Sequence, residues 1–352
     1  MILTTQKLIQ VLNLAVIVPS FLRDRYFSNV QTFEEDEINV EVTSNGKQVA
    51  PWVHQEVGGK VLERSGRNLK TYKAPETSPE RVITRKNLLA ADAQSPVFGA
   101  KTPAQRKAEL IAKDLKELDD AITRLEEKSV SEILFTGKLT VKGDGYDEVI
   151  NFWPTQAAAR PYKALTGAEL WTADDTADPI SDLENAITEI QTRSGYTPTE
   201  ALMSPATWAL ARKNPRVLEL LDNKGIDVGA VDFNSKAGAN GARLVGRLAG
   251  LDIYTYNQSL SEKNPNGTVT TTQLVPDGLV LVGSPNVPTM MAYGVVQIEN
   301  IQKQDIEFYS MRRVPYMYLS QKKPAGLMVQ IKSAPLPVPM VVDGFFVIKV
   351  TA

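Results

Sequence analysis

The chain of 352 residues lacks cysteine altogether and contains a single histidine, His54. Without cysteine there can be no disulfide bond, no thiolate nucleophile and no zinc site built on cysteine ligands. A Ser-His-Asp triad would have to use His54, and the sequence has no Gly-x-Ser-x-Gly motif to hold a nucleophilic serine. We therefore predict that the protein is not an enzyme and binds no cofactor or metal ion.

An excess of charge of either sign is also missing. The chain has 39 lysines and arginines against 41 aspartates and glutamates, which gives a net charge of −2. A dedicated nucleic-acid binder needs a surplus of cations to replace the counterions of the phosphates. The near balance argues against such a binder, but it is compatible with a protein that encloses DNA without gripping it.

Long hydrophobic runs are absent as well. The longest apolar stretch near the N-terminus, residues 8–18, is interrupted by Gln10 and Asn13. It is shorter than the roughly 20 residues that span a bilayer, so we predict no membrane association. An apolar fraction of 43% is still sufficient for a core, and the chain length favours one composite fold with two lobes.

Three short motifs are weak indications of a binding site. Residues 241–246 resemble a phosphate loop, but Arg247 and Leu248 stand where that loop needs lysine and a hydroxyl side chain. Residues 143–145 lack the third glycine of a dinucleotide-binding fingerprint, and a turn between two strands explains them better. The acidic residues 34–37 lack the ligand spacing and the glycine of a calcium loop.

The clearest predicted element is a helix over residues 103–135. Thr102 is suited to cap it, Pro103 fits the first helical position, and Gln105 completes a capping box. Gly137 is the predicted end. Apolar residues recur at steps of three and four and predict one buried stripe, made of Ile111, Leu115, Leu118, Ile122 and Leu125.

The rest of the sequence predicts a mixture of helices and strands. Helices are predicted to begin at Pro179, Pro205 and Pro215, because each proline follows a residue that can cap a helix. Strands are predicted at residues 38–42, 251–256, 279–282, 295–298 and 345–350. The glycine-rich residues 225–250 are predicted to be a loop. This mixture favours the α+β class.

Several segments, taken in order along the whole chain, resemble one protein family. They are Pro19-x-Phe21-Leu22-Arg23-x-x-x-Phe27, Glu126-Glu127, Leu134-x-x-Gly137-Lys138-x-Thr140-x-x-Gly143, Pro205-x-x-Trp208-Ala209-Leu210, Pro276-Asp277 with Gly283, Tyr293-Gly294, and Ser333-Ala334-Pro335-Leu336. No single segment is specific, but their order and spacing resemble the lambda-type major capsid protein E family of tailed phages.

This resemblance implies the tailed-phage major capsid fold, with an N-terminal arm, an extended β-hairpin loop, a peripheral lobe with a long spine helix, and an axial lobe. The arm would be residues 1–32, and the extended loop residues 33–88 with its hairpin at about 45–80. The peripheral domain would comprise residues 89–175 and 290–332, with the spine helix at 103–135. The axial domain would comprise residues 176–289 and 333–352.

The resemblance also implies a function and partners. Copies of the chain would assemble into hexamers and pentamers of an icosahedral shell in the virion, built in the host cytoplasm around double-stranded DNA. Since the sequence starts directly with the arm, we expect a separate scaffolding protein. A portal is also expected, and the need for a decoration protein is left open. The alternative is another structural virion protein, such as a tail or decoration component.

Candidate contacts between subunits come from the two segments that would reach outward. In the arm and the extended loop they are Phe21, Leu22, Arg23, Lys60, Arg64, Arg67, Lys70 and Lys73. Arms and loops supply contact area without deep pockets, which suits a subunit that must accept several different neighbours.

Overall fold

The computed structural model describes residues 5–13, 20–35, 37–43, 67–84, 102–143, 146–156, 159–173, 176–222, 236–237, 241–263, 268–300, 305–320 and 326–352. Within these ranges the chain combines helices with mostly antiparallel sheets, so the predicted α+β class is confirmed. The helices are α1 (Thr5–Asn13), α2 (Phe21–Tyr26), α3 (Pro103–Thr136), α4 (Pro179–Ser194), α5 (Pro205–Lys213) and α6 (Pro215–Asp222). Among these helices, none combines the length and apolar character that crossing a membrane requires.

Helix α3 begins and ends where its local sequence predicts. The Thr102 side chain accepts a hydrogen bond from the Gln105 backbone, and the Gln105 side chain accepts one from the Thr102 backbone. Gly137 ends the helix at φ 66°, in the left-handed region that favours glycine. The predicted helix is thus confirmed, as are the helices that begin at Pro179, Pro205 and Pro215.

The buried stripe of α3 differs from the prediction at one position. Leu125 is 38% exposed, whereas its neighbour Glu126 is 0% exposed. The stripe advances four residues from Ile122 to Glu126 and then four more to Val130, rather than three to Leu125. The prediction was wrong here because it counted only apolar side chains, and this site in the interior holds a carboxylate.

A seven-stranded sheet forms the largest part of the fold. Its order is β7 (Tyr162–Ala164), β21 (Phe346–Lys349), β14 (Leu279–Gly283), β8 (Glu200–Met203), β11 (Leu251–Tyr256), β10 (Ala242–Leu248) and β9 (Lys236–Ala237). Successive side chains along a strand point to opposite faces of the sheet. Ala201 and Met203 of β8 pack with α4, α5 and α6, whereas Leu202 packs with α2 and the C-terminal half of α3.

Strand β10 corrects the prediction of a loop over residues 225–250. Residues 242–248 pair with β11, and a turn at Ala249 and Gly250, both with positive φ, joins the two strands. The abundant glycine and arginine hid the strand, although Ala242 and Leu248 are buried. Residues 225–235 and 238–240 of the predicted loop lie outside the described residues.

Two three-stranded sheets complete the core. One has the order β1 (Val30–Thr32), β15 (Thr289–Tyr293) and β20 (Pro335–Pro339); the other has the order β18 (Val314–Ser320), β19 (Gly326–Lys332) and β4 (Glu80–Ile83). Leu8 of α1 and Leu115 of α3 pack with Val329 against the second sheet. The N-terminal half of α3 therefore packs against this three-stranded sheet, and its C-terminal half packs against the seven-stranded sheet.

Among the described residues there are also four two-stranded antiparallel sheets. They are β2 (Glu37–Thr43) with β3 (Arg67–Lys73), β5 (Lys138–Gly143) with β6 (Tyr146–Asn151), β12 (Ser259–Lys263) with β13 (Val269–Gln273), and β16 (Val296–Asn300) with β17 (Asp305–Tyr309). Gly143 of β5 pairs with Tyr146 of β6, and residues 144–145 of the turn predicted there lie outside the described residues. The predicted strand at residues 38–42 lies within β2. Strand β2 precedes the range of about 45–80 that was predicted for the hairpin of the extended loop, whereas β3 lies within it. Residues 44–66 lie outside the described residues.

Two strands cross the predicted division into domains. Strand β7, at residues 162–164, was assigned to the peripheral domain but pairs with β21 in the seven-stranded sheet. Strand β20, at residues 335–339, was assigned to the axial domain but pairs with β15. Sheets join segments that are remote in sequence, so boundaries drawn along the chain do not follow them.

Candidate functional site

Two adjacent carboxylates of α3 form the centre of a buried charge cluster. Glu126 and Glu127 are 0% and 4% exposed. Both lie on the inward side of the helix, about two thirds of the way from Pro103 to Thr136. A buried charge is costly unless it is paired and hydrogen-bonded, so the partners of these two side chains decide what the cluster does.

Glu126 is surrounded by arginines. Its Oε1 atom lies 2.7 Å from Nη1 of Arg313 and its Oε2 atom lies 2.8 Å from Nη1 of Arg23. Arg312 lies 3.4 Å away, and the Tyr293 hydroxyl donates at 2.8 Å. Burial by itself would raise the pKa of Glu126, but the arginines, with Arg313 foremost, outweigh burial and lower it.

Glu127 is held by neutral donors instead. The backbone N–H groups of Leu22 and Arg23 donate to its two oxygens at 2.8 and 2.9 Å, and the Tyr256 hydroxyl donates at 3.0 Å. Burial raises the pKa of Glu127, and these hydrogen bonds offset only part of the rise. Two neighbouring carboxylates on one helix therefore have pKa values shifted in opposite directions.

Arg313 extends the cluster along α3 toward its N-terminus. Its Nε atom donates to Asp119 at 2.7 Å, and its Nη1 atom lies 3.2 Å from Oγ of Ser333. The Ser333 hydroxyl donates to the backbone oxygen of Arg312 at 2.8 Å. These hydrogen bonds link the segment that precedes β18 to α3 and to Ser333, which follows β19.

A second buried ion pair joins α2 to the seven-stranded sheet. The Nε atom of Arg25 donates to both oxygens of Glu200 at 2.9 and 2.8 Å, and Glu200 opens strand β8. The guanidinium of Arg25 also lies 4.5 Å from the ring centroid of Tyr254, in cation–π contact.

The chemistry of these two sites is structural. The oxygens of Glu126 and Glu127 are occupied by donors of the same chain, and neither carboxylate faces solvent. Within the described residues, no group of three or more His, Asp and Glu side chains is arranged to hold a metal ion. The cluster therefore fixes α2 and the segment before β18 on α3, rather than presenting a reactive group.

The predicted contact residues of the arm lie inside the subunit. Phe21, Leu22 and Arg23 are buried, and all three pack against α3 or the sheet of their own chain. This differs from the expectation that they contact a neighbouring subunit, because side chains buried in this way retain little surface for another copy.

The predicted contact residues of the extended loop are only partly described. Arg67, Lys70 and Lys73 lie on β3, opposite Thr43, Val40 and Glu37 of β2. Lys73 is exposed. Lys60 and Arg64 lie outside the described residues, as does His54. A contact of these cations with another subunit stays a prediction.

Sequence reasoning missed Arg312, Arg313 and Glu200. One signal was available for the arginines, because a glutamate at a stripe position of an otherwise apolar helix face requires buried cations. The sequence does not say which of the 39 lysines and arginines supply them.

The segment that weakly resembles a phosphate loop is part of a strand. Residues 242–246 belong to β10, and Arg247 donates to the Gly250 backbone oxygen.

A family model described as phage major capsid protein E matches residues 4–350. The chain belongs to this family. The major capsid protein of Escherichia phage N15 is 23% identical over 337 residues, which cover 94% of either chain. The major capsid protein of Enterobacteria phage P21 is 22% identical over 354 residues, covering 99% of this chain and 98% of that protein.

A solved structure shows the same fold. The putative capsid protein of a prophage of E. coli CFT073 superposes with a TM-score of 0.71 at 19% identity, and the match covers 100% of both chains. The predicted phage capsid fold is thereby confirmed. As a member of the phage major capsid protein E family, the chain is a structural protein of the virion shell and not an enzyme. The family supports the shell subunit over the alternative of a tail or decoration component.

Proposed function

We propose that copies of this chain assemble into hexamers and pentamers that close an icosahedral shell around packaged double-stranded DNA. Membership of the capsid family supports this proposal. The net charge of −2 supports it as well, because a strongly cationic inner wall would hold DNA by its phosphates and oppose its release.

The observation that carries the proposal is the anchored base of the hairpin β2–β3. The two strands pair at seven positions, from Glu37 with Lys73 to Thr43 with Arg67. Ile38 is fully buried, and the ring of Tyr72 lies 5.1 Å from that of Phe152 beside the end of α3. An anchored pair of strands is a rigid base for the segment that joins them, and this supports a role of residues 44–66 in contacts with the neighbouring subunit.

Further partners follow from the same proposal. We propose that a scaffolding protein acts during assembly, that a portal occupies one vertex, and that both are separate chains. A decoration protein would bind the finished shell. Coexpression of the chain with each neighbouring gene of its phage, followed by particle purification, identifies which of these proteins enter the particles.

The test of assembly is electron microscopy of the protein expressed alone and with its scaffolding protein. Closed shells, tubes or ring-shaped capsomers support the proposal, whereas monomers or small dimers in both samples contradict it. The structure also offers a sharper variant. Replacing residues 44–66 by Asn-Gly joins Thr43 to Arg67 through a two-residue turn and keeps the strand register.

We expect the shortened variant to fold with an unchanged circular dichroism spectrum but to form no closed shells. A second variant carries a Gly-Ser segment of equal length in place of residues 44–66 and separates the effect of side chains from that of length. Shells of normal size from both variants would rule out a role of this segment in assembly.

A further inference from the structure

Helix α2 forms ion pairs with two different parts of the fold, α3 and the seven-stranded sheet. Arg23 pairs with Glu126 of α3, and Arg25 pairs with Glu200 at the start of β8 in the seven-stranded sheet. The two arginines are two residues apart, so they leave this short helix in different directions. The helix lies between α3 and the sheet and is bonded to both.

The contact with α3 combines three groups. The backbone N–H groups of Leu22 and Arg23 donate to the two oxygens of Glu127, and the Arg23 guanidinium lies 2.8 Å from Glu126. The Arg23 side chain is 8% exposed and that of Glu126 is 0% exposed. Water has no access to this contact, so its hydrogen bonds are strong and costly to break.

The contact with the sheet is different in kind. Arg25 holds Glu200 through Nε and lies over the ring of Tyr254. Phe21 adds ring contacts with Tyr254 and Tyr256, at 5.8 and 5.4 Å between centroids. The Arg25 side chain is 32% exposed although its partner carboxylate is buried, so solvent reaches this contact from one side.

We propose that α2 is a two-sided clamp that sets the angle between α3 and the seven-stranded sheet. The proposal rests on the proposed function, since one chain that occupies both hexamers and pentamers must adopt slightly different shapes. Val130 and Leu134 in the C-terminal part of α3 pack on the side of the seven-stranded sheet, whereas Leu115 in its N-terminal half packs on the sheet of β18, β19 and β4. Helix α2 adds polar contacts that join α3 to the seven-stranded sheet. When the angle changes, the partly exposed contact of Arg25 with Glu200 breaks first, and the buried contact of Arg23 with Glu126 stays formed.

The absence of cysteine allows a direct measurement of this angle. Cysteines introduced at two exposed positions, Lys116→Cys on α3 and Glu184→Cys on α4, carry spin labels whose separation is measured by pulsed electron paramagnetic resonance. We expect one narrow distance distribution in dispersed subunits. Arg25→Gln broadens it, because Glu200 loses its cation and α2 no longer links the sheet to α3.

Arg247→Gln is the matched control. Arg247 lies on the same sheet, is exposed and pairs with the exposed Asp252 at 3.7 Å, so its loss should leave the distribution unchanged. Arg25→Lys keeps the charge but loses the planar fork and stacking, and we expect a width between those of wild type and Arg25→Gln. Arg25→Lys also provides the test on its own if Arg25→Gln does not fold. A distribution of wild-type width in Arg25→Lys and in any folded Arg25→Gln overturns the clamp.

Hydrogen exchange tests whether the two sides act separately. Arg25→Gln should leave the Leu22 and Arg23 amides protected, because Glu127 still holds them. Glu127→Gln should speed their exchange about tenfold or more, as the loss of a charge-assisted hydrogen bond predicts. Equal loss of protection in both variants would show that α2 is released as a whole and would overturn the two-sided clamp. Neither measurement requires shells, so failure of assembly in electron microscopy is a separate result.

Discussion

The Nη1 atom of Arg313 lies 2.7 Å from the Oε1 atom of Glu126, and their side chains are 7% and 0% exposed. Removing both charges from water is unfavourable, and the pair persists because Arg23, Tyr293 and Asp119 supply further partners. Breaking such a pair costs more than forming it contributes, because one buried charge is left without a partner. The loss of a single member should therefore be severe.

The first prediction concerns the loss of the central carboxylate. Glu126→Gln should lower the free energy of unfolding of the dispersed subunit by about 3–5 kcal/mol, because Arg313 and Arg23 lose the buried carboxylate they share and keep only Asp119 and Asp24 at the edge of the cluster. Urea unfolding followed by tryptophan fluorescence measures this, with buried Trp171 as a probe. Glu189→Gln is the control, since Glu189 pairs with Arg193 at the surface and such pairs contribute less than about 1 kcal/mol. Equal losses of unfolding free energy in Glu126→Gln and Glu189→Gln would contradict a stabilising role of the buried charge cluster.

The second prediction concerns pH. The pKa of Glu126 is lowered from 4.5, so its contribution to stability is complete above pH 4.5 and is lost as pH falls through the lowered value. The pKa of Glu127 is raised, so the folded state binds its proton more readily and gains stability as pH falls from that raised value toward 4.5.

Unfolding free energies of wild type and both glutamine variants, measured from about pH 7 to about pH 3, separate the two effects. The difference between wild type and Glu126→Gln should shrink below pH 4.5. The difference between wild type and Glu127→Gln should grow as pH falls toward 4.5. If the two differences changed with pH in the same way, the two carboxylates would titrate alike, and this would contradict the opposite shifts of their pKa values.

The third prediction concerns a hydrogen bond across the cluster. Tyr256→Phe should cost about 1.5–3 kcal/mol of unfolding free energy, because Glu127 loses a donor at a buried site while the ring is kept. Tyr318→Phe removes a similar bond to Glu80 at an exposed site and should cost no more than about 0.5 kcal/mol. Thermal and urea unfolding of the two variants compare them. A larger loss for Tyr318→Phe would be the contrary result.

The fourth prediction concerns the end of α3. Gly137 and Gly167 both have positive φ, at 66° and 58°, but a Cβ atom on Gly137 would overlap the ring of Trp153, whereas a Cβ on Gly167 meets nothing within 4 Å. Gly167→Ala should cost about 1–2 kcal/mol from backbone strain alone. Gly137→Ala should cost about 2–4 kcal/mol, because the overlap adds to that strain. Equal unfolding free energies would show that Trp153 moves aside without penalty.

The helices were the part of the fold that sequence predicted best. Thr102 and Gln105 are three residues apart, and Gly137 closes α3 by a bond to Ile133 four residues earlier. All groups that start and end this helix are neighbours in sequence, so pattern reading is sufficient. The same holds for the caps at Asp178 and Ser204, which open α4 and α5.

The strands were predicted less evenly. Strand β11 is confirmed at residues 251–256, where apolar residues dominate, but β10 was missed because glycine and arginine alternate with its apolar residues. Its strand character comes from pairing with β11, and no local interaction of residues 242–248 requires it. Sheet order has the same origin, since β21 pairs with β14 although residues 284–345 separate the two strands in sequence.

By itself, the sequence determined the class of the fold, the long helix with its ends, and a resemblance spread over the whole chain. These follow from hydrogen bonds and apolar spacings within a few residues. Only the tertiary structure decided that Glu126 is buried and that Arg313, 187 positions away, is its partner. The physical reason is that a buried charge must find its counterions in space, and many cations of the chain could pair with it until the packed fold brings Arg313 and Arg23 within 3 Å.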